Sequence, residues 1–477
     1  MRARTLILTL ALACLLPAGT AAAASSKFTI RGAGFGHGVG MSQYGAYGFA
    51  LNGAAYRDIL AHYYTGTAIG GLDPAQRVRV LLQSTRGSAS FTGATRAGRR
   101  RVSATKTYLV RRRGAAVQLL SARGKRLGTY PSLRVTGRGG AVILRGRAAN
   151  GRVSGAYRGA MVFTPGAFSG VDAVNSVAVD QYLQGVVPDE SPPYWPLEAL
   201  KAQAVAARTY AIATMKPGAT FDLYPDTRSQ VYGGVAAEEA STNQAVAETS
   251  GEVVTYAGQP VVTFFFSTSG GRTEDVENTP LGHEPKPWLK SVDDPYDDAS
   301  PRHRWGPIRM SLGRADRKLG SLVKGAFRGI QVVRRGRSPR IVEADIIGSR
   351  GRTRVNGATL RARFGLFDSW AFFTSITTGE EPPPAEPAPA DGAPTGGAEP
   401  FGAAALLRRA AVASVAGRVL PVLRGARVSV QRRHGRRWIT VGSTRLRRGG
   451  RYAYAVTRAG VYRARYHDET GPAVRVR

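Results

Sequence analysis

The sequence predicts a β-rich α+β fold, with one helix that carries the candidate site, followed by a small all-β sandwich. Three observations carry that reading. Short apolar runs broken by Gly, Pro and Arg fill residues 77–173 and 401–477, the pattern of many short strands joined by turns. An Ala-rich run ending at Ala213 has high helix propensity and follows a proline-studded turn, Gly185 to Pro196. Residues 379–400 are Pro-rich, acidic and free of large apolar side chains, which reads as a semi-extended linker between the two regions.

The 477 residues leave room for two or three domains. Residues 1–24 carry Arg2 and Arg4, an apolar core from Leu6 to Pro17 and then small residues. That is the pattern of a secretory signal peptide cut near Ala24, too short to span a bilayer. Its Cys14 is the only cysteine, and Ala11-Leu12-Ala13 before it is a poor match to a lipid-anchor signal. The mature chain is then expected to be secreted and to lack disulfides, a thiol nucleophile and thiolate metal ligands.

The net charge of +35 is unevenly spread. Residues 86–158 hold 18 Lys/Arg and no acid, and residues 401–477 hold 18 Arg against Asp468 and Glu469. The remainder is nearly neutral. Export argues against nucleic acid as the partner, so the basic regions are expected to hold anionic envelope polymers, screened by salt.

Residues 31–53 alternate glycines with larger residues, which implies an extended backbone making close approaches. The spacing is neither a P-loop nor a dinucleotide fingerprint. His37, Ser42, Gln43 and Tyr44 are the polar groups it presents, and Ser42 is placed to cap a short helix ending at Asn52-Gly53. An amphipathic helix is expected over Tyr56–Tyr64.

In the central turn, Pro188, Pro192, Pro193 and Pro196 are expected to deny any regular structure, leaving Glu190 in a rigid loop. Lys201 and Arg208 stand seven apart on the following helix and so project from one face. An acid beside two cations is either a catalytic site for an oxygen-rich substrate or a solvated helix face. Further on, a helix over Thr242–Thr249 precedes strands GEVVTY and PVVTFFFS, and the second ends in Ser267-Thr-Ser269-Gly-Gly271, a plausible sugar-binding rim. Asp293, Asp294, Asp297 and Asp298 lack the order of a calcium loop and read as a solvated turn. Strands are expected around 329–333 and 341–347, and residues 401–477 as an immunoglobulin-like sandwich.

Several of these stretches together resemble the stage II sporulation protein D / LytB amidase-enhancer family. They are Gly185-Val-Val-Pro-Asp-Glu190, Glu198-Ala-Leu-Lys201 through Arg208-Thr-Tyr210, Gln230-Val-Tyr232, Ser267–Gly271 and Gly36-His-Gly-Val-Gly-Met-Ser-Gln-Tyr-Gly45. The resemblance covers roughly residues 28–378, in a permuted segment (28–70), a basic β-rich part (77–173) and a catalytic part (174–378). The last-named motif usually follows the others in the family. Here it comes first, so residues 31–70 would have to dock near Leu360–Phe373 to rebuild the domain.

The resemblance implies a lytic transglycosylase acting on peptidoglycan glycan strands, with Glu190 as the catalytic acid, or a non-catalytic enhancer of a cell-wall amidase. It implies substrate contacts from Lys201, Arg208, Tyr210, Gln230, Tyr232, Ser267 and Ser269 together with His37, Ser42, Gln43 and Tyr44. Asp226 is a possible second acid. Some members bind zinc through Cys and His near the catalytic loop. No Cys remains here and no His lies nearby, so no metal or other cofactor is expected.

Overall fold

The structure, a computed structural model, describes residues 25–381 and 413–476 apart from Pro74, Phe168 and Arg424. The signal-peptide reading and most of the linker reading therefore fall outside the described residues. Short strands with alternating burial dominate, and the helix Val179–Gln184 and the helix Leu197–Ala213 contribute to the core of the largest sheet.

Residues 77–178 form that sheet, of ten antiparallel strands, as the broken apolar runs require. Its strand Val171–Ala178 pairs with Arg77–Thr85 and runs straight into helix α3 (Val179–Gln184). The sheet core, including Val78, Phe91, Tyr157 and Phe163, continues into Tyr182, Ala204 and Ala207. The candidate turn is thus anchored directly to the basic β region.

The N-terminal strand Ser25–Ala33 lies between Arg304–Met310 and Ala371–Glu381, antiparallel to both. Phe28 packs on Phe327, Phe364 and Phe373 at centroid distances of 5.3, 5.6 and 5.9 Å. Arg361 Nη1 also donates to the Gly36 carbonyl at 2.7 Å. The Gly-rich segment and the strand before it therefore dock against residues 361–378.

Strand Ala371–Glu381 has a further partner. Ser414–Leu420 and then Arg451–Ala455 extend the same sheet, and a four-stranded sheet of residues 427–445 and 460–476 packs on it. One core holds Ile376, Val415, Val428, Val430 and Tyr462. The C-terminal strands thus build a two-layered arrangement, but they share a sheet with the N-terminal strand. Gly379–Glu381, read as linker, belong to a strand. A three-stranded sheet over 327–356 covers the Phe28 cluster.

Candidate active site

Helix α1 (Gln43–Leu51) starts where Ser42 Oγ accepts the Gly45 N–H at 3.1 Å, and it packs beside α2 (Tyr56–Tyr63). The turn after α3 contains a short helical element, α4 (Val187–Glu190), with Pro188 in its first turn. This corrects the expectation of irregular backbone, because a missing N–H costs nothing at a helix start. Helix α5 (Leu197–Ala213) follows Pro196. Its alanines are buried almost all round, so it is a core helix and not an amphipathic surface one.

Glu190 is the last residue of α4 and is partly buried. Its Oε1 accepts the Val231 N–H at 2.9 Å, and its main-chain carbonyl accepts Gln43 Nε2 at 3.0 Å. Gln203 Oε1 accepts from both Gln43 and Ser191 at 3.4 Å, tying α1, the turn and α5 together. Burial raises the Glu190 pKa from 4.5 to about 7. The Val231 N–H and the Gln43 amide oppose that rise, and neighbouring Asp189 adds to it.

Of the other candidates, Tyr210 lies close enough for Glu190 to raise its pKa further, after burial. Tyr44 packs edge-on against Trp195 at 5.1 Å, and its N–H donates to the Ser267 carbonyl at 3.0 Å. Glu190, Gln43, Tyr44, Tyr210 and the partly buried Ser267 are thereby gathered on adjoining elements. Tyr194, which the sequence reading did not select, is 83% exposed beside this group. Its signal was the Tyr194-Trp195 pair set among prolines.

The structure places the remaining candidates elsewhere. Arg208 is wholly buried, with Nε 2.7 Å from Asp180 Oδ1 and its Nη atoms donating to the Val246 and Glu252 carbonyls. Lys201 pairs with Glu198 at 2.9 Å and Glu248 at 2.7 Å. The two cations neither share an open face nor form a solvated stripe, because each is turned to its own acid. Gln230 is buried and donates to the Ala207 carbonyl, while buried Tyr232 donates to Asn175 at 2.9 Å. His37 uses both ring nitrogens internally, toward the Phe265 carbonyl and the Val39 N–H. Burial pulls its pKa down to about 3, so it is a neutral clamp on the Gly-rich loop. Ser42 is buried as the α1 cap.

Ser269 is buried too, with its Oγ on Asp297 at 3.0 Å. The aspartate run is not a solvated turn. Asp297 also takes the Gly270 N–H and His303 Nδ1, and Asp294 accepts the Tyr63 hydroxyl at 2.8 Å. Burial and then Asp297 push Asp294 up to about 6. This network pins the Ser267–Gly271 loop to α2.

Neither the expected second acid, Asp226, nor the adjacent Asp189 is free to serve beside Glu190. Asp189 pairs with Arg152 at 3.2 Å, and Asp226 pairs with Arg228 at 2.7 Å, which holds it below the usual carboxylate range. Among the described residues, no three His, Cys, Asp or Glu side chains gather as a metal-ligand set.

Residues 168–256, which include Glu190, Lys201, Arg208, Tyr210, Gln230 and Tyr232, match the family model described as stage II sporulation protein. The motifs between Gly185 and Tyr232 that carried the resemblance fall within the matched span, and those at Gly36–Gly45 and Ser267–Gly271 lie outside it. Among curated relatives, stage II sporulation protein D of Bacillus subtilis is 31% identical over 208 residues, 40% of this chain and 57% of that protein. The amidase enhancer of Bacillus subtilis is 40% identical over 148 residues, 30% of this chain and 19% of its own. An uncharacterized protein of Brachyspira hyodysenteriae is 41% identical over 125 residues, 26% of this chain and 34% of that protein. The chain thus spans between a fifth and three fifths of the relatives named. No solved structure matches.

Proposed function

We propose that this chain is an exported peptidoglycan lytic transglycosylase, cleaving MurNAc–GlcNAc bonds in glycan strands stripped of stem peptides. The observation that carries the reading is Glu190. Its carboxyl is held to about 7, while Asp189 and Asp226 are each committed to an arginine. An acid near neutrality can give a proton and take one back at the same pH.

In the proposed reaction the protonated Glu190 donates to the glycosidic oxygen as the bond to C1 of the muramyl sugar breaks. The carboxylate so formed, held by the Val231 N–H, then takes the proton of that sugar's own 6-hydroxyl as O6 bonds to C1. The product carries a 1,6-anhydro end. One acid serves both steps, whereas a hydrolase of the usual kind needs a second carboxylate to activate water. Tyr210, Tyr44 and Ser267 are the substrate contacts this reading retains, while buried Gln43 positions the Glu190 turn. The reading involves no cofactor, and nucleic acid is not its partner.

A second reading, a non-catalytic enhancer of an N-acetylmuramoyl-L-alanine amidase, is favoured by the 40% identity over 148 residues to a protein named amidase enhancer. End-group analysis separates the two. The purified chain is incubated with amidase-treated glycan strands, and the ends are identified by mass spectrometry. New 1,6-anhydro ends support the transglycosylase, and reducing muramic acid supports a hydrolase. Unchanged strands together with a faster added amidase support the enhancer.

A further inference from the structure

A cavity of about 640 Å³, which shares no lining residue with the Glu190 group, lies where the 327–356 sheet meets the C-terminal strands. Five arginines line it: Arg328, Arg352, Arg418, Arg447 and Arg448, with no carboxylate among the lining residues. Arg328 and Arg418 are partly buried. Burial and then the neighbouring Arg328 and Arg451 lower the Arg418 pKa. Its guanidinium reaches the loop of Arg447 and Arg448, since a Cβ added at Gly449 would sit 3.9 Å from Arg418 Nη1.

Some arginines of this chain are answered by acids, as Arg158 is by Glu238 and Arg354 by Asp345 and Glu343. Among the described residues, the guanidinium groups of Arg328, Arg418, Arg447 and Arg448 form no ion pair and donate no hydrogen bond. The nearest acid to Arg352 is Asp345 at 3.7 Å, already held by Arg354 at 2.6 Å. Arg352, Arg447 and Arg448 are exposed, whereas Arg328 and Arg418 are partly buried without counter-ions, so their charges repel and an anion placed between them is stabilising. Planar guanidinium forks match phosphate oxygens in pairs, and five around one cavity suit several phosphates in a row.

We propose that this cavity binds a phosphodiester polymer with one charge per repeat, of the poly(glycerol phosphate) type. The site stands apart from glycan cleavage, and its failure leaves that reading untouched. It would hold the chain against a phosphate-bearing surface at the seam between its two regions.

The test titrates the full chain at about 0.15 M salt with tripolyphosphate and with poly(glycerol phosphate). Polyglutamate is the carboxylate control and phosphatidylglycerol vesicles are the lipid control. The comparison is between Arg328→Gln/Arg418→Gln and a doublet of exposed arginines on the large sheet, Arg99→Gln/Arg100→Gln. Both phosphate probes are expected to bind wild type and raise its melting temperature. Arg328→Gln/Arg418→Gln weakens them at least tenfold, yet without ligand it melts no lower than wild type, since repulsion has been removed. Arg99→Gln/Arg100→Gln stays within twofold. Equal losses in both variants, polyglutamate binding as tightly as the phosphates, or binding to vesicles alone would overturn the proposal. So would a lower melting temperature of unliganded Arg328→Gln/Arg418→Gln, which would make these arginines structural.

Discussion

The Val231 main-chain N–H donates to Glu190 Oε1 at 2.9 Å while burial of the same carboxyl raises its pKa to about 7. The two effects oppose each other, and burial wins. A fixed N–H makes the charged form tolerable, and the partly dry surroundings keep the neutral form within reach at physiological pH.

That balance has a stability consequence. The folded carboxyl titrates near 7 against 4.5 for the free group, so between those values the native state holds a proton that the unfolded state has lost. Stability therefore falls as pH rises through this window. Glu190→Gln removes the penalty and is expected to be more stable than wild type at pH 8 by on the order of 1–3 kcal/mol. The gap closes toward pH 4.5. Urea unfolding at the two pH values measures it, and a less stable variant at pH 8 would contradict the burial argument.

Arg208 carries a different expectation. Removing it strands Asp180 and the carbonyls of Val246 and Glu252, so Arg208→Ala should lose about 3–5 kcal/mol. Activity per folded molecule should be retained. Thermal melts with activity normalised to soluble, folded protein check this, and a variant that folds normally with a raised KM would restore Arg208 as a substrate contact.

Phe28→Ala tests the docking of the N-terminal strand. The ring is fully buried among Phe327, Phe364 and Phe373, and its loss should cost about 3–5 kcal/mol. A change below about 1 kcal/mol would mean that the strand is not integral to the domain.

Tyr194→Ala should leave stability within about 0.5 kcal/mol, because the side chain is 83% exposed. If the ring supports bound sugar, KM for glycan strands rises severalfold with kcat little changed. An unchanged KM removes Tyr194 from the site.

Local signals made much of this molecule readable. Ser42 and Asn52 bound α1 as their cap chemistry predicts, and α2, α5 and the strands of the basic region follow from propensity and alternation. The order of motifs anticipated the contact between Gly36 and Arg361, 325 residues apart. The fate of the charges was not local. Arg208 is answered by Asp180, 28 residues earlier, and no periodicity within α5 reports that pairing. Asp294 and Asp297 looked like a solvated turn because their partners, Tyr63, Ser269 and His303, come from three separate stretches. The sharing of one sheet by residues 25–33 and 414–455 is a non-local pairing of the same kind. Helices at Leu312–Leu319 and Gly357–Phe364 went unread among Gly- and Arg-rich neighbours.

The central claim is that Glu190 protonates the glycosidic oxygen and then takes back a proton. Its most direct test is the rate of 1,6-anhydro end formation from amidase-treated glycan strands, followed by mass spectrometry for wild type and Glu190→Gln near pH 6. Wild type should generate these ends, with the rate falling as pH rises through about 7. Glu190→Gln, folded and at least as stable, should generate them at least a hundredfold more slowly. A variant that makes as many anhydro ends as wild type would contradict the account.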